Sequence, residues 1–232
     1  MSDRLLVGEG VDLWELDLDV AVEALAALEE LLTEAERRRA QRYRFDVHRR
    51  RFTVRRATLR RLLGRYLSLA PAKVPIEQTD LGKPFVRGAP FDFSASSSNE
   101  CAVFAFSRAR VGADVEEIRS MSDALGIAKR FFTRDEFEEL EKVEPARQSE
   151  AFLHVWTVKE AVLKALGVGL TCSLRAFRVS GTPEAPVVIV DESASVPSQQ
   201  WGLHRSSDHR RIIAVAVEGE WSGLRSFRWP AT

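Results

Sequence analysis

An α+β fold of two similar halves is predicted by three observations. Helical periodicity followed by short apolar, strand-like runs occurs twice along the chain. The first series closes near Phe106, and the second opens at Gly112. No Pro-, Gly- or Ser-rich linker lies between them, so the break within residues 107–110 reads as a tight junction rather than a tether. The halves are drawn as residues 1–108 and 109–232.

The elements follow in order. Residues 4–20 alternate weakly and read as strand and loop. Residues 20–32 repeat apolar positions at helical spacing. Thr33 with Glu36 three positions on forms a capping-box signature for a second helix. Residues 47–67 form a long helix on which Phe52, Leu59, Leu62, Leu63 and Tyr66 share a buried face, with Arg51 and Arg55 on its flank. Pro71 and Pro75 end it, and Leu81-Gly82-Lys83-Pro84 is a turn. Strands follow at residues 91–94 and 101–106. Residues 111–118 read as a strand end and loop. Helices are expected at residues 122–132, 134–143 and 149–166, the last stopped by Gly167-Val168-Gly169. Three β-prone segments, at residues 174–179, 187–190 and 211–217, close the second half.

The chain has 232 residues, enough for a substantial core, and 45% are apolar. No apolar run approaches the ~18–20 residues that span a bilayer, and the first residues lack the basic-then-apolar order of a signal peptide. Two cysteines make no disulfide framework, so a cytoplasmic location is expected. Formal net charge is zero, which argues against a general polyanion binder. Charge is nonetheless clustered: thirteen arginines fall between Arg37 and Arg65, and seven acids between Asp135 and Glu150. The arginine helix suggests a rival function, phosphate tracking along nucleic acid. A plainer reading makes most of those arginines a solvated helix face.

Two clusters carry chemistry. In Gly112-Ala113-Asp114-Val115-Glu116, Asp114 and Glu116 stand two apart, so an extended backbone points both carboxylates to one side. Such a pair suits magnesium; a solvated acidic strand end looks the same. In the second cluster, Trp156, Glu160 and Lys164 recur every four residues along one helix stripe, with Lys159 beside it. Read alone, Trp156 is core and Glu160–Lys164 a surface pair.

Together, Gly-x-Asp-x-Glu and Trp-x-x-Lys-Glu-x-x-x-Lys, with Glu160 46 positions after Asp114, resemble the 4′-phosphopantetheinyl transferase superfamily, and more closely its longer, surfactin-synthetase-activator type. Leu81-Gly82-Lys83-Pro84-Phe85, Phe91-Asp92-Phe93-Ser94 and Ile127-Ala128-Lys129-Arg130-Phe131-Phe132-Thr133 are similar to further family segments. The resemblance implies a pseudo-dimer of two α+β halves with coenzyme A in the cleft between them. It implies transfer of 4′-phosphopantetheine from coenzyme A to a serine of an apo acyl or peptidyl carrier protein, with release of adenosine 3′,5′-bisphosphate. Asp114, Glu116 and Glu160 would hold Mg2+, and Glu160 could instead be the general base; the sequence leaves both roles open. Lys159 and Lys164 would contact phosphate oxygens, and Arg51, Lys83 and Ser94, with Arg39 a weaker candidate, would bind the nucleotide. One departure stands out: where the family has Ser-His-Ser, this chain has Ser94-Ala95-Ser96, with Ser94 and Ser96 as possible compensation. That departure also suits a catalytically weakened carrier-binding relative. An acidic carrier is expected to dock between Ser120 and Phe132, where Arg119, Lys129 and Arg130 stand beside Met121, Leu125 and Ile127. A monomer is expected, because the halves supply the cleft, with neither nucleic acid nor membrane as partner.

Overall fold

The computed structural model describes residues 5–181, 186–190, 201–221 and 223–230. Its elements run β1 (Val11–Asp17), α1 (Val22–Glu29), α2 (Glu34–Gln41), α3 (Asp46–Leu67), β2 (Ile76–Gln78), β3 (Pro84–Val86), β4 (Asp92–Ser98), β5 (Cys101–Ser107) and β6 (Val111–Glu117). Then come α4 (Ala124–Phe131), α5 (Arg134–Glu141), α6 (Gln148–Leu166), β7 (Phe177–Gly181), β8 (Pro186–Val190), β9 (Trp201–Ser207), β10 (Arg211–Glu218) and β11 (Leu224–Arg228). The class is mixed α+β, as expected.

Two larger sheets organise these elements, one ordered β11-β1-β5-β4 and the other β6-β10-β9, while β2-β3 and β7-β8 pair as two-stranded sheets. Helix α3 covers the first sheet: Phe52, Leu59, Leu62, Leu63 and Tyr66 bury themselves with Trp14, Leu16, Phe104 and Phe106. That is the face the periodicity predicted. Helix α6 covers the second, with Val158, Ala161, Val162 and Ala165 against Ala214 and Ala216. Side chains from both sheets, among them Leu13, Val103, Ala105, Val115 and Val215, form a further apolar layer. Segment 111–118, expected as strand end and loop, is strand as far as Glu117, because β10 pairs with every residue from Val111 to Glu117. Strands β2, β3, β9 and β11 were not expected. β11 pairs in parallel with β1, so the last strand joins the first sheet from the far side of the 108/109 division.

Two buried ion pairs repeat one arrangement. Thr33 and Glu36 form a capping box on α2, and Glu36 accepts from Arg60 at 2.7 Å. Arg60, on α3, also donates to the carbonyls of Pro71 and Val74 beyond the helix end. Thr133 and Glu136 form the second box, on α5, and Glu136 lies 2.9 Å from the Lys159 ammonium on α6. Lys159 in turn donates to the carbonyls of Leu174 and Phe177 beyond its own helix. Each cation thus ties the helix before, its own helix and the segment after into one unit. A buried charge is tolerable only with its partners supplied in this way.

Candidate active site

The site begins with a close approach. A Cβ built on Gly112 would overlap the Ala161 carbonyl oxygen and come within 3.0 Å of its carbon. Without a side chain there, β6 lies flush on α6, which brings Asp114 and Glu116 of the strand beside Glu160 and Lys164 of the helix. β6 is also an edge strand, and edge N–H groups need partners. Side chains of β4 supply them: Asp92 accepts the N–H of Val111 at 2.9 Å, Ser94 that of Ala113 at 3.0 Å, and Ser98 that of Glu117 at 3.2 Å. The period of two along β4 puts Asp92, Ser94, Ser96 and Ser98 in one row facing β6.

The acids sit at the centre of this seam. Asp114 is 3% exposed. Its Oδ1 accepts from Ser96 Oγ at 2.7 Å and from Lys164 Nζ at 2.5 Å. Glu116 accepts from Ser98 Oγ at 3.0 Å and from Arg119 at 3.2 Å. Burial pushes the Glu160 carboxyl above the ordinary range; Lys164 pulls it down, and Asp114 and Glu116 push it further up. A cavity of about 210 Å³ opens beside these groups, lined by Lys83, Ser94, Glu160, Lys164 and the glycines Gly82 and Gly167.

Among the described residues, no three His, Cys, Asp or Glu side chains are grouped as a metal site. Of the three acids expected to hold Mg2+, Asp114 is engaged by Lys164 and Ser96, and Glu116 by Arg119 and Ser98. The donor chemistry still fits a hard cation. Asp114 Oδ2 and Glu160 Oε1 are both buried without a hydrogen-bond partner, and carboxylate oxygens are what magnesium prefers.

The residues expected to contact coenzyme A fall in four places. Lys83, Ser94 and Lys164 share the cavity with Glu160. Lys83 is anchored there by Asp92 at 2.5 Å and the Ala165 carbonyl at 2.9 Å, and the Ser94 hydroxyl is committed to the seam. Arg51 lines a neighbouring pocket with Arg55, Ser97 and Asn99. Its guanidinium forks onto Asp19 at 2.7 and 2.6 Å, which holds it charged. Arg39 is exposed and lies over the Phe52 ring, in a further pocket beside Tyr43. Lys159 is not in the cavity at all. It is fully buried against Glu136, because adjacent helical residues point about 100° apart and Glu160 takes the open side.

Ala95, where the family has a histidine, packs in part against the core under α3 and lines the cavity together with Ser94, while Ser96 faces Asp114 and Lys164. On Ala95's side, Arg55 instead donates to Ser97 Oγ at 2.9 Å. Ser98 and the packing role of Gly112 were not read from the sequence; the period-two serines along β4 were the available signal. Trp156 stacks on Phe152 at 5.7 Å, a core contact.

Comparison with known proteins bears directly on this seam. The model of the 4′-phosphopantetheinyl transferase superfamily matches residues 110–216, which include β6, α6 and their carboxylates. A 4′-phosphopantetheinyl transferase, HetI, of a Nostoc species is 35% identical over 92% of this chain and 90% of its own. The 4′-phosphopantetheinyl transferase psf-1 of Bacillus pumilus is 32% identical over 83% of each chain. A solved holo-(acyl-carrier-protein) synthase of Bacillus anthracis aligns with 48% of this chain and 96% of its own, at 21% identity and a TM-score of 0.41. With relatives alike over nearly their whole length and a family match centred on the acid-bearing strand and helix, this chain belongs to the 4′-phosphopantetheinyl transferase superfamily.

Proposed function

We propose that this protein transfers the 4′-phosphopantetheine group of coenzyme A to a serine of an apo carrier protein and releases adenosine 3′,5′-bisphosphate. The observation that carries the proposal is the pair of unpartnered, buried carboxylate oxygens on Asp114 and Glu160, beside a cavity flanked by Lys83 and Lys164. Buried acceptors without donors are costly and point to a ligand. Asp114, Glu116 and Glu160 would hold magnesium, which when bound offsets charge on the pyrophosphate and polarises the attacked phosphorus. Lys164 and Lys83 orient phosphate oxygens at the cavity wall. Glu160 either completes that magnesium site or, with its carboxyl raised by burial, takes the proton from the carrier serine as general base. Arg51 and Arg55 supply guanidinium groups for a further phosphate in the adjoining pocket.

We also read the molecule as a pseudo-dimer of the longer, surfactin-synthetase-activator type. Its support is the repeated arrangement in which Arg60 and Lys159 each stand seven residues before the end of a long helix and bind a capping-box glutamate. The carrier docks on α4, where Lys129 and Arg130 are exposed and Phe131 is 40% exposed beneath the Arg130 guanidinium. Ala128 and Phe132 are core and lie outside the docking face, while Arg119, half exposed, is paired with Glu116.

The test is incubation with coenzyme A, magnesium and an apo carrier protein, followed by the intact mass of the carrier. A phosphopantetheine adduct that disappears with Asp114→Ala is the expected result. No adduct with the wild-type protein on any class of carrier overturns the proposal.

A further inference from the structure

We infer that Ser96 is a positioning residue that dictates which oxygen of Asp114 the transfer site can use; the inference rests on the phosphopantetheinyl-transfer reading. Three members of the β4 row, Asp92, Ser94 and Ser98, accept backbone N–H groups of β6. Ser96 does something different: it donates to the Asp114 carboxylate at 2.7 Å and accepts from Lys164 at 2.8 Å.

The direction of these bonds is fixed by chemistry. A lysine ammonium has only donors, so Ser96 must offer it a lone pair. The single hydroxyl proton is then committed to Asp114 Oδ1. Lys164 donates to the same oxygen at 2.5 Å. Oδ1 is thereby filled by two donors, and Oδ2 is left buried and without a partner. Ser96 itself is 6% exposed, and among the described residues its hydroxyl bonds to the acid and the lysine, so its effect on the reaction is indirect.

Removing the hydroxyl frees the carboxylate to turn about its Cβ–Cγ bond and loosens Lys164. Groups that orient a metal-binding carboxylate typically change metal affinity by about 10–100-fold when lost. The structure therefore assigns Ser96 to the acid and the cation, and not to coenzyme A, whose cavity keeps Lys83.

The decisive comparison is Ser96→Thr against Ser96→Val, which differ in the hydroxyl alone, with Ser96→Ala beside them. Two quantities are read: Mn2+ affinity of the protein by itself, from the electron paramagnetic resonance of free Mn2+, and steady-state transfer. Wild type and Ser96→Thr should match. Ser96→Val and Ser96→Ala should weaken Mn2+ binding by about 10-fold and lower kcat similarly, leaving the KM for coenzyme A within about twofold. Equal Mn2+ affinity and kcat in the threonine and valine variants overturns the inference. Absence of transfer by wild type instead overturns the reading on which it rests.

Discussion

Gly112 and Ala161 stand so close that a methyl group on the glycine would occupy the space of the alanine carbonyl oxygen. Backbone lies against backbone there, and neither strand nor helix has a flexible side chain to move aside. Gly112→Ala should therefore destabilise the fold by ~3 kcal/mol or more, the upper range of overpacking costs. Thermal melting checks it: a variant with wild-type stability would mean that β6 can withdraw from α6.

Lys159 and Lys164 should separate cleanly. Lys159→Met leaves Glu136 buried without its cation and should cost ~3–5 kcal/mol of stability, with coenzyme A affinity of the folded fraction unchanged. Lys164→Met should cost less stability, because Lys164 is partly exposed and Ser96 still donates to Asp114, and should reduce transfer by ~10²–10³-fold, the usual cost of one preorganised donor. Urea unfolding and single-turnover kinetics on the two variants measure both halves of the contrast.

Acid should reveal the first buried pair. Burial alone would raise the Glu36 carboxyl, but Arg60, the Thr33 N–H and Arg56 outweigh it and bring it to about 2, against 4.5 when free. A depressed value means stability that is present above pH 4.5 and lost as pH falls toward 2, amounting to ~3 kcal/mol. Glu36→Gln should lose that contribution at neutral pH. The gap between variant and wild type, followed by urea denaturation, should narrow through that window.

Docking can be tested by charge. Lys129→Glu with Arg130→Glu should raise the KM for an acidic carrier by ~10-fold at low salt, with less effect at high salt, and leave the KM for coenzyme A unchanged. Equal carrier kinetics at all ionic strengths would place the docking face elsewhere.

The parts of this molecule that were legible in the sequence are those whose cause is local. Thr33-x-x-Glu36 announces its helix start, and the apolar stripe of α3 announces its buried face. The acids Asp114 and Glu160 were legible as a pair because their motifs are contiguous. Lys159 was misplaced because neighbours in a motif diverge around a helix, and only the partner at Glu136 shows which way it turns. The serines of β4 and the vacancy at Gly112 gain their meaning from β6 and α6, and no local signal encodes that encounter. β11 escaped for the same reason: residues 224–228 lack a clear alternation, and their strand character comes from the edge of β1.

That last strand has a consequence for how the protein is made. On the ribosome, β1 and β5 emerge early and could pair at once, as could the α3 face that covers them. The edge of β1 that takes β11 must wait until residue 228 has been synthesised. Through β5, the same sheet carries β4, whose serines hold the acids in place. A nascent chain stalled near residue 220 would thus hold Asp114, Glu116, Glu160 and Lys164 yet present an open strand edge to its neighbours. Synthesis through residue 228 closes that edge, so truncation before β11 should produce aggregation.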